Sequence, residues 1–426
     1  MRLDQAAPEQ LNALEQSLAE QYLALKAEGL SLDLTRGKPS AEQLSLSDQL
    51  DGILADNYKA NDGTDLRNYS VLDGIPEAKA LFAEMVDLEP SDILVGGNSS
   101  LTLMYFSLQT GLLNGFNGPD SAWHKESAAI KFLAPVPGYD RHFTACEHLG
   151  IELIPVAMKD DGPDMDAVEA AVRADPQIKG IWCVPRFSNP TGITFSDQVV
   201  ERIAKLATIA GPNFRVFWDN AYAVHFLEPD SPELANIFDY CKQHDTEDSV
   251  ILFGSTSKIT YAGSGVSFLA ASASNLQALK HALSFSTIGP DKVNQMRHVE
   301  FLRDKATIDA HMQKHADLLK PRFDAVLEKL DQELSGTGMA SWTKPKGGYF
   351  ISLDTRPGLA KEIIKLAADI GVKLTPAGAT FPYGNDPEDK NIRIAPSFPP
   401  IADLAKATEV FIVCLKLASV RQALAA

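Results

Sequence analysis

Lys258 stands just beyond the apolar run Val250-Ile-Leu-Phe, separated from it by Gly254, Ser255, Thr256 and Ser257. A short apolar run bounded by turn residues reads as a buried strand, so the amine sits where a strand leaves a sheet. The small neighbours leave room for a bulky group beside the amine, and their hydroxyls suit an anion such as a phosphate. A lysine held in this way can form a Schiff base with an aldehyde. Taken alone, the same residue reads equally as an ordinary surface lysine, so other side chains must decide.

Chemistry through an aldehyde on a pyridine ring needs an anion to keep the ring protonated, donors to the ring's phenolate and phosphate, and a cation for a substrate carboxylate. Each has a candidate. Asp219 ends the run Phe214-Arg-Val-Phe-Trp, and a carboxylate there could pair with a ring nitrogen; the alternative is a loop cap. Tyr222, three residues on, and Asn189 in Ser188-Asn-Pro-Thr-Gly could both donate to a phenolate, although Asn-Pro and Thr-Gly are also plain turn residues. Gly96-Gly-Asn-Ser-Ser precedes a predicted helix. Its N–H groups with the hydroxyls of Ser99 and Ser100 could take a phosphate, or simply cap the helix. Tyr139 in Pro137-Gly-Tyr could stack on a ring face. Arg393 lies in the strand-like run Asn391-Ile-Arg-Ile. Burying it calls for a carboxylate partner, either a substrate or a structural ion pair.

The elements that must position these groups alternate. Strands are expected at 93–95, 132–136, 151–156, 180–184, 214–218 and 250–253, with helices at 75–86, 101–113, 165–173 and 198–209 between them. This is the pattern of a parallel sheet with helices on both faces, whose ligands gather at the carboxyl ends of the strands. Every candidate named from Ser99 to Lys258 follows such a strand. Beyond about residue 305 a long helix from Ile308 to Leu334, a strand at 347–353, a helix at 361–370 and a last helix form an α+β region. The first helix, with Leu11, Leu14, Leu18, Tyr22 and Leu25 at helical spacing and Gly29 as its stop, is expected to join it. The expected division is an N-terminal segment 1–50, a large domain 51–305 and a small domain 306–426.

Composition narrows the class. A chain of 426 residues with 45% hydrophobic and 22% charged residues can bury a large core. Its net charge of −17 argues against nucleic-acid or anionic-membrane partners. Cys146, Cys183, Cys241 and Cys414 are widely spaced, without zinc or disulfide-scaffold spacing, so no metal is expected. The first residues lack an apolar signal core and no stretch spans a bilayer. A cytoplasmic protein is expected.

Taken together the landmarks resemble fold-type I pyridoxal-phosphate (PLP) enzymes of the class I aminotransferase group. They run from LTRGKPS (34–40) through NYSVLDGIPE (68–77), GGNSS, PGY, SNPTG, DNAY (219–222) and STSK (255–258) to NIRIAPS (391–397). The resemblance implies an α/β large domain with a mostly parallel sheet, a smaller α+β domain, and a homodimer with shared active sites. It makes Lys258 the Schiff-base lysine and proton shuttle, and Asp219 the ring-nitrogen partner. Asn189 and Tyr222 become the phenolate donors, and Ser99, Ser100 and Ser255 phosphate ligands. Tyr139 is the stacking aromatic, and Tyr69 the tyrosine reaching the neighbouring subunit's phosphate. Arg393 and Gly37 form the α-carboxylate site.

Two departures point to a divergent bacterial aspartate aminotransferase subgroup. Where the family pattern after the lysine ends in an arginine for the phosphate, KITYAGSGVSF carries Gly265 or Val266. The arginine by which familiar aspartate aminotransferases hold the distal carboxylate has no match in SFSTIGPDK (284–292). Arg36, beside Gly37, is the first substitute; Arg141 and Arg297 follow, and each has a structural ion pair as its alternative. The expected reaction is ping-pong transfer of an amino group from aspartate or a similar amino acid to 2-oxoglutarate. An aromatic, alanine or kynurenine aminotransferase, or a β-lyase on the same fold, is the rival. A transcription regulator is disfavoured, because the short stretch before LTRGKPS leaves no room for a DNA-binding domain.

Overall fold

The computed structural model describes residues 2–35 and 37–425. Its centre is an eight-stranded sheet. In spatial order the strands are Ile93–Val95, Ser267–Ala271, Val250–Ser255, Arg215–Asp219, Ile178–Cys183, Lys131–Val136, Glu152–Lys159 and Gly162–Pro163. The five strands from Val250–Ser255 to Glu152–Lys159 run parallel; the outer pairings are antiparallel. Both faces are covered, which the alternation along one strand makes plain. Val216 and Trp218 enter an apolar cluster with Phe195, Ile203 and Val224, while Phe217 enters another with Trp123, Phe132 and Phe253. A strand buried on both faces must be apolar throughout, which is why these runs carry no polar alternation.

Parallel order is what assembles the site. Four neighbouring strands end at Val136, Cys183, Asp219 and Ser255, so Tyr139, Asn189, Asp219 and Lys258 emerge at one edge of the sheet. Expected and observed strands agree within a few residues. The strand Ser267–Ala271 was not expected: its SFLAA is short and without alternation. It returns antiparallel from the Lys258 loop and carries the Gly/Ser turn with it, since Gly96 N–H donates to Ser267 O at 2.7 Å and Ser267 N–H to Gly97 O at 2.7 Å. The helix expected over 101–113 is α-helical at Ser100–Gln109 and ends in a π-helical turn, Thr110–Asn114.

The C-terminal part holds a three-stranded antiparallel sheet of Ala340–Trp342, Ile351–Thr355 and Asn391–Ile394. It packs with the helices Lys305–Leu334, Ala360–Ile370 and Ile401–Ala425. The first helix, Pro8–Ala27, starts with proline at its first position, and Gly29 follows it in the left-handed region at φ 65°. Its Leu11, Leu18 and Leu25 share one apolar cluster with Phe323, Leu353, Ile392 and Phe411. The strand expected from Gly347 begins at Ile351. Gly347 and Gly348 lie against Phe187 where a Cβ would collide, and Gly348 adopts φ 81°, so the chain is irregular there. Among the described residues no helix is long and apolar enough to cross a membrane.

Candidate active site

A cavity of about 230 Å3 opens at the carboxyl edge of the sheet, and Lys258, Asp219, Tyr222, Asn189, Tyr139 and Ser255 all line it. Gly37, Ser99 and Ser100 of the predicted set also lie on its wall. The Lys258 Nζ lies 5.1 Å from the centre of the Tyr222 ring. Burial pushes the Lys258 ammonium below the ordinary lysine range, and the Asp219 carboxylate partly opposes the shift. Burial likewise holds the Tyr222 hydroxyl well above the usual phenol value and pushes Tyr139 up to about 12. Both tyrosines therefore stay protonated donors at neutral pH.

Asp219 is only 2% exposed. Its Oδ2 lies 2.9 Å from His142 Nε2, and the His142 ring stacks on Trp182 at 4.1 Å and 8°. Its Oδ1 is buried without a hydrogen-bond partner among the described residues. A carboxylate oxygen left unpaired in a buried cavity wall is costly unless something completes it. His142 was missed by the sequence reading. It lies in the PGYDRHF segment that supplied Tyr139, but its partner is 77 residues away, and nothing local reveals the pair.

Arg393 is buried, and it sits behind Asn189 and Phe350, two cavity-lining residues. Its Nη1 donates to Asn189 Oδ1 at 3.2 Å and to Asp140 Oδ1 at 3.1 Å, and its guanidinium lies 4.8 Å over the Phe350 ring. Gly37 is required here by space: a Cβ would collide with the Phe350 ring. Phe350 and Asp140 are further site residues that the sequence reading did not name.

At the other end, the helix Ser100–Gln109 presents its N-terminus to the cavity. Ser99 occupies the cap position, and its hydroxyl makes no capping bond. Ser257, one of the small neighbours of Lys258, lines the same wall, and its Oγ donates to Asn98 O at 3.2 Å. Val266 is buried in the core, and its N–H donates to Thr256 Oγ1 at 2.9 Å. The position of the usual arginine thus faces inward. Arg297 is removed from the substrate candidates, since it bonds Leu50 O at 3.0 Å and Asp51 at 2.8 Å. Arg141 lines an open depression that shares Ser99 and Leu101 with the cavity. Tyr69 is 82% exposed and does not line the cavity. Arg36 lies outside the described residues.

These residues fit a pyridoxal phosphate. The unpaired Asp219 Oδ1 matches a protonated ring nitrogen, Lys258 an aldehyde, Asn189 and Tyr222 a phenolate, and the hydroxyls with the helix N-terminus a phosphate.

Comparison with known proteins decides the family. A profile of the aspartate amino-transferase family matches residues 6–426. The chain belongs to that family. An aspartate aminotransferase of Corynebacterium glutamicum is 44% identical over 96% of this chain and 95% of its own. A solved aspartate transaminase from C. glutamicum superposes with a TM-score of 0.95 at 43% identity, covering 99% of both chains. An aspartate aminotransferase from Thermus thermophilus, solved with maleate, reaches a TM-score of 0.67 at 18% identity over 94% of this chain and 96% of that one, a likeness of fold alone. The protein is thus an aminotransferase of the PLP fold type I, with the α/β architecture read from its sequence.

Proposed function

We propose that this aminotransferase moves an amino group from aspartate, or a similar amino acid, to 2-oxoglutarate, with pyridoxal phosphate joined to Lys258. The observation that carries this reading is the buried, half-satisfied Asp219 carboxylate on the strand adjacent to the one that ends before Lys258. Bound there, the cofactor supplies an electron sink for bond changes at the amino acid's Cα.

The side chains then have separate tasks. Asp219, held by His142, keeps the proton on the ring nitrogen. Lys258 would hold the cofactor and serve as the base that moves the proton from Cα; burial lowers its pKa from the ordinary lysine value, in the direction of the neutral amine a base needs. Asn189 and Tyr222 donate to the ring oxygen, and Tyr139 covers the ring face. Arg393 takes the α-carboxylate beside Gly37. Ser99, Ser100, Ser255 and Ser257 hold the phosphate with the N–H groups of the helix start. For a second carboxylate Arg36 stays first, because in the sequence it directly precedes Gly37, a residue of the cavity wall, and Arg141 second. The two half-reactions share one site, which gives ping-pong kinetics.

We further propose a homodimer in which Tyr69 reaches its partner's phosphate. Tyr69, Phe285 and Ile288 are 82%, 79% and 61% exposed. Lys292 Nζ joins their two segments by donating to Ser70 O at 3.1 Å. An exposed apolar surface of this kind is typical of a protein interface. The divisions 1–50, 51–305 and 306–426 remain our domain proposal, and a cytoplasmic location is supported by four buried free cysteines.

The test is Lys258→Ala. We expect no measurable turnover with aspartate and 2-oxoglutarate, and no lysine–cofactor adduct after borohydride reduction and peptide mass analysis. Full activity in that variant rejects the assignment. An aromatic donor preferred over aspartate in the wild-type protein would reject the substrate while keeping the chemistry.

A further inference from the structure

The Arg393–Asp140 contact has no task in the scheme above. Arg393 is 8% exposed, so its charge needs a partner whenever no substrate is bound. Asp140 supplies it, with Oδ1 3.1 Å from Nη1. Asp140 is the first residue of the helix Asp140–His148, directly after the ring-stacking candidate Tyr139, and its side chain is 32% exposed. The same Nη1 also meets Asn189 Oδ1, while Nε is buried without a hydrogen-bond partner among the described residues. The guanidinium is therefore half engaged, and one terminal nitrogen is taken by a carboxylate of the chain itself.

We propose that Asp140 is a resident stand-in for the substrate carboxylate, an affinity-setting residue that holds Arg393 in the empty site and must yield it when substrate arrives. The proposal rests on the reading of Arg393 as the α-carboxylate site. An end-on, two-pronged grip on a carboxylate needs both terminal nitrogens of the guanidinium. An incoming carboxylate thus meets both an occupied Nη1 and a like charge. Asp140 has a way out, because it is part-exposed at a helix start where water and the N-terminal N–H groups can solvate it. Affinity for every carboxylate ligand is then lowered by the fraction of protein in which Arg393 is still engaged. In return the empty site never holds a bare buried cation.

The test uses the holoenzyme and two unreactive probes, propionate with one carboxylate and succinate with two, titrated by the absorbance of the bound cofactor. Asp140→Asn should tighten both probes about tenfold. The KM for aspartate and for the oxo acid should fall together by a similar factor, with a smaller change in kcat. Asp140→Ser, which keeps a side chain favourable at a helix start, should shift affinity in the same direction and serves if the first variant folds poorly. A purely structural contact would lower thermal stability and leave the probe affinities and KM where they are. Unchanged or weaker probe binding in both variants overturns the proposal. Arg393→Lys is the control for the underlying reading. It should weaken propionate about a hundredfold, the scale of a lost bidentate carboxylate pair. If it does not, the carboxylate site lies elsewhere and the role of Asp140 falls with that reading; if Arg393→Lys weakens propionate while the Asp140 variants change nothing, the role of Asp140 falls alone.

Discussion

Replacing Asp219 by asparagine tests the electrostatic centre of the site with almost no change in volume. Asp219 Oδ2 faces His142 Nε2 at 2.9 Å, and Oδ1 has no hydrogen-bond partner among the described residues. An amide offers one acceptor and one donor. If its oxygen stays toward His142, its NH2 group confronts the protonated ring nitrogen; turned around, it confronts the histidine. The first arrangement sets donor against donor, the second does so unless the histidine moves its proton to its other ring nitrogen, and in both the ring loses the charge that holds its proton. Breaking one partner of a buried charged pair costs about 3–5 kcal/mol. At roughly 1.4 kcal/mol per factor of ten, the rate of the aspartate half-reaction falls by about two to three and a half orders of magnitude. The assay is a single-turnover reaction followed by cofactor absorbance, with cofactor content checked first, since Lys258 and the phosphate site are untouched. His142→Asn should cost less, about tenfold, because it removes a hydrogen bond and leaves the charge. An Asp219→Asn protein that turns over within about a factor of ten of wild type refutes the pairing, because the loss would then be no larger than that of an ordinary hydrogen bond.

Two further outcomes follow from features away from the cavity. His315 is buried, its Nδ1 3.1 Å from Gln43 Nε2 and its Nε2 2.9 Å from Ile259 O, and burial lowers its pKa from 6.5 to about 4. Between those two values the unfolded chain binds a proton that the folded chain does not. The stability is therefore complete above 6.5 and lost as pH falls toward 4, by about 3 kcal/mol for this one group. His315→Gln should flatten the slope of denaturation free energy across that window, and an unaltered slope would show that this histidine does not set it. At the exposed surface, Phe285→Glu combined with Ile288→Glu should give monomers by sedimentation and remove activity; a fully active monomer would end the shared-site proposal.

The cavity wall was legible because its residues occupy a place that a parallel sheet creates repeatedly, the first turns after an apolar strand. Asn189, Asp219 and Lys258 each announce themselves by following such a run. What was hidden depends on pairs that only folding brings together. His142 meets Asp219 across 77 residues, and Asp140 meets Arg393 across 253. Each of these four lies in a segment already singled out, yet charge type alone does not say which acid meets which base. The antiparallel strand Ser267–Ala271 escaped for another reason. Five fully buried residues show no period of two, so only the bonds of Ser267 to Gly96 and Gly97 reveal the strand as the piece that brings the Ser99 turn beside Lys258.

The same pairs explain how a chain of net charge −17 can receive anions. Long-range repulsion from surface carboxylates is screened within about 10 Å at moderate salt, whereas the buried groups act at 3–5 Å in a poorly solvated wall. There the charges alternate: Asp219 acts on Lys258 and raises its pKa against burial, and Asp140 meets Arg393. Each cation is thus matched by an anion that a ligand can replace or complete. On the proposed scheme the protonated ring nitrogen of the cofactor would complete Asp219, and a substrate carboxylate would relieve Arg393 of Asp140. What the site answers to is therefore the local charge at each of these two points, one met by the cofactor and the other by the amino acid, and the overall charge of the protein has little bearing on it.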